Sequence, residues 1–202
     1  MLDRWSLALI KGPLNAAAKP LARRHISANQ VSVTGFAIGL AALPLLAFEC
    51  YSWALLAIAL NRLADGLDGE LARLTAPSDS GAFLDIVLDF LFYAAVIAGF
   101  ALARPDTNAL PAALLLFGFM GTGSSFLAFA ILAERRGLTS MRYPSKGFYY
   151  LSGITEGTET IGFFVLMCLL PDAFAWIAGL FFVLCVITTA TRVIGGFHSL
   201  RA

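Results

Sequence analysis

The chain has 202 residues, 59% of them hydrophobic and 13% charged, with a mean hydropathy of +0.80. That composition excludes an ordinary soluble domain and points to a single polytopic membrane domain spanning 1–202. A net charge of +1 gives no electrostatic footprint for nucleic acid, and Cys50, Cys168 and Cys185 have neither metal-ligand nor disulfide-framework spacing.

The first residues, MLDRWSLALIKG, hold an acid at Asp3 and an apolar run too short for a signal-peptide core, so residue 1 is read as the true start. Over 2–14, Leu2, Trp5, Leu9 and Ile10 fall near one helical face, with Asp3, Arg4 and Lys11 elsewhere. This pattern predicts an amphipathic helix lying in the membrane interface, within a juxtamembrane segment 1–25. Six windows near the ~20 residues needed to cross a bilayer follow, at 30–50, 51–75, 80–103, 107–133, 148–171 and 173–191. The expected fold is therefore an all-α integral membrane protein with six transmembrane helices and an N-terminal interfacial helix. The connections, ECYS, TAPSDS, RPDTN, ERRGLTSMRYPSKG and PDAF, concentrate turn residues.

Arg4, Lys11, Lys19, Arg23, Arg24, Arg135, Arg136, Arg142, Lys146, Arg192 and Arg201 fall on one side of this topology, and the opposite loops hold only Arg104. The positive-inside rule then makes both termini cytoplasmic, together with the TAPSDS turn. The small residues of GFMGTGSS, 118–125, are read either as an internal packing face or as a dimer contact. His25 and His198 are juxtamembrane and join no ligand-spaced cluster.

The windows at 51–75, 80–103 and 148–171 carry acids where lipid would exclude them. At ~100° per residue, Asp65, Asp68, Gly69, Ala72 and Arg73 share roughly 140° of arc, with Leu63, Leu67, Leu71 and Leu74 opposite. Asp85 and Asp89, spaced i and i+4, share a face of the next helix, and a short turn joins the two helices antiparallel. Four converging carboxylates repel one another unless cations neutralise them, and oxygen-only donors suit Mg²⁺ above all, or Mn²⁺. Gly69 and Gly81 leave room for a ligand or a neighbouring backbone, and Arg73 offers a planar fork for phosphate. The bland reading is an interfacial acid patch paired with Arg62 and Arg73.

These residues resemble the signature of the CDP-alcohol phosphotransferase (CDP-alcohol phosphatidyltransferase) family, D-x2-D-G-x2-A-R-x8-G-x3-D-x3-D. Here it reads Asp65, Asp68-Gly69, Ala72-Arg73, Gly81, Asp85 and Asp89, with seven spacer residues, Leu74 to Ser80, in place of eight. The resemblance implies a two-metal site on Asp65, Asp68, Asp85 and Asp89, with Asp89 also the candidate base for an acceptor hydroxyl. It implies CDP contacts from Gly69, Arg73, Ser78 and Gly81, and from Asn29 in the stretch SANQVSVTG. The implied reaction is attack of an alcohol on the β-phosphorus of a CDP-linked substrate, with CMP leaving, in phospholipid biosynthesis. CDP-diacylglycerol is the expected donor for so short a chain, and family members are often homodimers.

For the acceptor, Glu156 and Glu159 lie in SGITEGTETIG, 152–162, with Ser152, Gly153 and Thr160 near the same face. They are read as bonding acceptor hydroxyls or a cationic head group, or as pairing with Arg62 or a loop arginine. Arg135, Arg136, Arg142 and Lys146 could recognise a phosphorylated acceptor such as glycerol 3-phosphate or inositol phosphate, or simply reflect topology. The expectation is transfer of a phosphatidyl group to a small polar alcohol in a bacterial inner or plasma membrane. The alternatives are a CDP-amino-alcohol:diacylglycerol phosphotransferase and, from another class, an ion-coupled transporter, whose inverted repeat is not visible.

Overall fold

The computed structural model describes residues 3–137 and 154–201. Every regular element among them is helical: α1 (Asp3–Arg23), α2 (Ala28–Leu40), α3 (Ala42–Ala47), α4 (Tyr51–Leu74), α5 (Asp79–Ala103), α6 (Pro105–Arg135), α7 (Gly157–Leu169) and α8 (Phe174–Arg201), with a 3₁₀ turn at Pro171–Ala173. The long apolar windows leave little alternative, because backbone polar groups in lipid must be satisfied within the segment.

Local chemistry sets the boundaries. His25, at φ 57°, takes the left-handed position that closes α1, and the Ile26 N–H reaches back to the Leu21 carbonyl at 3.2 Å. Ser27 then opens α2 with a capping box: its hydroxyl accepts from the Gln30 N–H at 3.3 Å, and the Gln30 side chain accepts from the Ser27 N–H at 2.9 Å. Pro44 sits just beyond the break at Ala41, where α2 gives way to α3. Glu49, at φ 58°, is the second left-handed closure.

Ala28–Ala47, Asp79–Ala103, Pro105–Arg135 and Pro171–Arg201 are long and apolar enough to cross a membrane. α4 has 24 residues but carries Arg62, Asp65, Asp68, Glu70 and Arg73, and α7 is a shorter apolar helix of 13 residues. The first helix continues past the expected 2–14 to Arg23, through Pro13 and Pro20. Its second half packs on α4: a Cβ at Gly66 would run into the Leu14 side chain.

The core is built of phenylalanine. Phe92, Phe100, Phe164, Phe174 and Phe181 are fully buried, with Phe100 stacked on Phe174 at 4.8 Å and Phe163 on Phe181 at 4.3 Å. Large apolar side chains also face outward, Trp176 85% and Phe117 70% exposed, which lipid, not water, accommodates. Close backbone approaches hold the helices together. A Cβ on Gly35 would strike Ala64, and one on Gly39 would meet Asn61 at 2.7 Å, so α2 lies directly on α4. Gly118 and Gly121 face Cys185, Phe182 and Thr189 of α8. Gly118 and Gly121 of GFMGTGSS thus form an internal packing face, while Met120 between them is 71% exposed.

At the end of α5 away from its acids, Arg104 ties three connections together. It donates to Glu49 Oε2 at 2.8 Å and to Asp172. The hydrogen bond from Arg104 holds the Glu49 carboxyl below its ordinary range.

Candidate functional site

The motif folds as a helix, a turn and a helix. α4 ends where the Thr75 hydroxyl bonds the Leu71 carbonyl at 2.9 Å, and Pro77 keeps the turn out of helical geometry. Ser78 caps α5, its hydroxyl accepting from the Gly81 N–H at 3.1 Å. The seven-residue spacer is thus divided: Leu74 completes α4, 75–78 form the turn, and Asp79 and Ser80 begin α5. Gly81 therefore lies in the first turn of α5.

Asp65 and Asp68 from α4 and Asp85 and Asp89 from α5 line one cavity, together with Ser32, Gly35 and Phe36 of α2 and with Asn61, Arg62 and Leu88. The convergence expected from spacing is present. Among the described residues, however, no three His, Cys, Asp or Glu side chains are gathered as a ready-made metal group. The acids share the cavity with a cation. Arg62 Nη2 donates to Asp89 Oδ1 at 2.7 Å, and Nη1 lies 3.5 Å from Asp65 Oδ2. The other Asp89 oxygen accepts from the Tyr93 hydroxyl at 3.1 Å. Both carboxylate oxygens of Asp89 are therefore engaged.

Oxygen-only donors from two helices, around a cavity with one guanidinium among four acids, have the chemistry of a hard divalent ion's seat. Asp65, Asp68, Asp85 and Asp89 are the residues that would hold it.

Next to this cavity the structure assembles the expected nucleotide residues in two groups. A Cβ on Gly81 would lie 3.1 Å from both Asn29 Oδ1 and Ser78 Oγ, so Asn29, Ser78 and Gly81 meet where α2 approaches the start of α5. Gly69 and Arg73 form the second group, the guanidinium being 3.6 Å from where a Gly69 Cβ would stand. Arg73 is tethered by Glu70, Nη2 to Oε1 2.7 Å, and the buried Glu70 also accepts from Asn15 of α1 at 3.4 Å. The bland pairing is thus partly real: Arg62 binds two motif acids, but Arg73 binds an acid outside the motif.

Glu156 and Glu159 cap α7. The Glu159 carboxylate accepts from the Glu156 N–H at 3.3 Å, and the Glu156 side chain accepts from the N–H three residues on. Glu156 also lines a second cavity with Thr122, Thr155, Thr160, Tyr93 and the buried Arg192, whereas Glu159 is not among its lining residues. Arg192 Nη1 donates to the Thr122 carbonyl at 3.1 Å and stacks 5.6 Å from the Phe126 ring centroid. Tyr93 connects the cavities, lining the second while bonding Asp89 of the first. Arg135 and Arg136 are exposed at the end of α6 and line neither cavity. Arg142 and Lys146, with Ser152 and Gly153, lie outside the described residues.

Asn61, Tyr93, Glu70 and Arg192 were not expected at the site. Tyr93 is four residues beyond Asp89 and so on its face, a signal present in the spacing. The other three depend on contacts between distant segments.

The chain is 53% identical over 202 residues, all of itself and 98% of the relative, to inner membrane protein YnjF of Escherichia coli (strain K12). It is 37% identical over 94 residues, 46% of itself and 50% of the relative, to the archaetidylinositol phosphate synthase of Pyrococcus horikoshii. In fold it resembles the Mycobacterium tuberculosis phosphatidylinositol phosphate synthase (PgsA1). The crystal structure of that protein with manganese and citrate gives a TM-score of 0.73 at 21% identity, covering 91% of this chain and 88% of that one. The crystal structure with CDP-DAG bound gives 0.69 at 20% identity, covering 91% and 93%. The profile of CDP-alcohol phosphatidyltransferases matches residues 25–194, a span that contains the whole aspartate cavity, and the chain belongs to that family of enzymes.

Proposed function

We propose that this enzyme transfers a phosphatidyl group from CDP-diacylglycerol to a small polar alcohol within the membrane, releasing CMP. The observation that carries the reading is the cavity in which four motif aspartates from α4 and α5 meet beside Asn29, Ser78 and Gly81. The PgsA1 structures, one holding manganese and one CDP-DAG, support a divalent ion, Mg²⁺ or Mn²⁺, and this donor. When bound, such ions, two by the family pattern, would neutralise the diphosphate and the charge on leaving CMP. Asp65, Asp68, Asp85 and Asp89 would hold them.

The chain's own residues do the positioning. Gly69 and Gly81 keep two helix faces open for the diphosphate and nucleotide, and Asn29 and Ser78 offer polar edges to the CDP moiety. Arg73 presents its remaining donors to phosphate while Glu70 fixes its direction. Asp89 is also proposed to accept the proton of the attacking hydroxyl. Each of its oxygens has an acceptor site left beyond the bonds from Arg62 and Tyr93, so the acceptor hydroxyl can bond it while those two groups hold its orientation.

The second cavity is the proposed acceptor site. It combines a buried guanidinium with threonine hydroxyls and opens beside Tyr93, which leads to Asp89. That set suits a hydroxylated, anionic alcohol such as a sugar or polyol phosphate. Glu156 lines the cavity and is retained as an acceptor contact; Arg135, Arg136, Arg142 and Lys146 are retained as further candidate acceptor contacts from the sequence, and Glu159 acts through the cap it forms with Glu156.

Six spans are proposed, α2 with α3 counting as one and α4 to α8 supplying the rest, α1 lying in the interface. The lysine and arginine distribution supports cytoplasmic termini and a cytoplasmic active site. The relative named an inner membrane protein supports a bacterial inner or plasma membrane. A homodimer is also proposed, its contact lying outside the glycines of the GFMGTGSS stripe, which pack inside the protomer.

Incubation with CDP-diacylglycerol and a panel of alcohols, in parallel with a CDP-amino-alcohol and diacylglycerol, separates the donors. CMP release only in the first arm is expected. Release only in the second would select the amino-alcohol reaction, and metal-driven uptake into vesicles without CMP would select transport.

A further inference from the structure

Arg62 belongs to no motif, yet its guanidinium is held on every side inside the aspartate cavity. Nε and Nη2 both donate to Asn61 Oδ1, at 2.9 and 2.6 Å. Nη2 also reaches Asp89 Oδ1 at 2.7 Å, and Nη1 lies 3.4 Å from the Tyr93 hydroxyl and 3.5 Å from Asp65 Oδ2. The Phe92 ring covers it, with Cζ 4.8 Å from the ring centroid. Asn61 in turn donates to the Gly35 carbonyl at 3.0 Å, so α2, α4 and α5 all build the seat. An arginine that only snorkelled would send its charge to the interface; this one is directed at two of the four acids.

We infer that Arg62 is a resident counterion of the aspartate cluster: it holds Asp65 and Asp89 together in the metal-free protein and sets how tightly the cluster takes a divalent ion. The inference rests on the metal reading above. A cluster of four carboxylates without any cation would push α4 and α5 apart at their shared end. One fixed positive charge relieves that repulsion permanently, at the expense of affinity for any cation that must share Asp65 and Asp89 with it. The bound ion is thereby kept exchangeable.

The test compares the full-length wild type with Arg62→Gln and Arg62→Lys in detergent, using Mn²⁺ alone. Free Mn²⁺ is read by electron paramagnetic resonance, and thermal unfolding is followed in EDTA and in Mn²⁺. Arg62→Gln is expected to melt several degrees lower in EDTA, to regain wild-type stability in Mn²⁺, and to bind Mn²⁺ about tenfold more tightly. Arg62→Lys keeps the charge and loses the fork, so its Mn²⁺ affinity should stay within about threefold of wild type. If the glutamine variant survives only with metal, purification in Mn²⁺ and chelator competition give the same constant. Equal or weaker Mn²⁺ binding by Arg62→Gln, with a stability loss that Mn²⁺ does not restore, overturns the inference and leaves Arg62 a packing residue. Absence of saturable Mn²⁺ binding in the wild type overturns the metal reading itself, and the inference with it.

Discussion

Asp89 shows how one side chain can be drawn into two roles. Its oxygens are taken by Arg62 at 2.7 Å and Tyr93 at 3.1 Å, so it is oriented before any substrate arrives, and orientation of this kind is what a ligand or a base both require. Arg192 makes the complementary case for the acceptor. Its buried guanidinium, bonded to a helix carbonyl, lines the second cavity beside threonine hydroxyls. Arg192→Gln should raise the KM for an anionic acceptor about tenfold or more, the size of a lost charge-assisted hydrogen bond, with the KM for the CDP donor unchanged. Steady-state kinetics with each substrate varied separately check this. Equal effects on both would remove Arg192 from acceptor binding. The motif aspartates were legible from spacing alone, because a one-sided stripe of acids in an apolar helix is too costly in lipid unless it faces a ligand or a polar partner. Arg62 was legible only as a pairing partner, and Asn61, Glu70 and Arg192 not at all, since Gly35, Asn15 and Thr122, which fix them, lie between 26 and 70 residues away.

Elements position these residues through caps and close approaches. Ser78 closes the α4–α5 turn by accepting from the Gly81 N–H, and the same hydroxyl borders the Gly81 opening beside Asn29. Ser78→Ala should cost about 1 kcal/mol of stability, as loss of a helix cap does, seen as a lower melting temperature. Because the cap also frames the proposed nucleotide edge, the KM for the CDP donor is expected to rise. A melting temperature equal to wild type would show that the turn is held by Pro77 and Asp79 instead. The sequence windows located α4, α5 and α6 within about two residues, because hydropathy and turn residues coincide there, whereas α8 runs to Arg201, well past the expected end at 191. The ends that were missed reflect local chemistry: the capping box at Ser27 and Gln30 starts α2 early, and α1 runs to Arg23 because it packs on α4. The sequence reading of Glu156 and Glu159 offers acceptor contacts or pairing with an arginine; the Glu156 to Glu159 spacing is equally that of a helix cap, and the structure uses it so.

Across the whole molecule, charge is sorted to the two ends of the bundle. One end holds the aspartate cavity, and the other a small ion cluster in which Arg104 joins Glu49 and Asp172. The Glu49 carboxyl is held below its ordinary value, chiefly by its hydrogen bond from Arg104. A carboxyl depressed in the folded state contributes stability that is fully present above its unfolded pKa, ~4.3, and is lost as pH falls through the folded value. Glu49→Gln should therefore lower the melting temperature slightly at pH 7 and flatten its decline between about pH 5 and 3. The effect will be small and will fade in high salt, because the cluster is exposed. A melting curve for Glu49→Gln that declines with acid as steeply as wild type would contradict it.

At the aspartate end of the bundle the chemistry itself can be measured. Protein reconstituted in vesicles containing CDP-diacylglycerol is supplied with Mg²⁺ or Mn²⁺ and a panel of small alcohols, and CMP is measured with the new phosphodiester. Equimolar CMP and product are expected with at least one alcohol, abolished by EDTA and reduced at least about a hundredfold in a folded Asp68→Ala variant. CMP release that survives both EDTA and Asp68→Ala, or no release with any alcohol from a well-folded, metal-loaded protein, would contradict a metal-dependent phosphatidyl transfer at these aspartates.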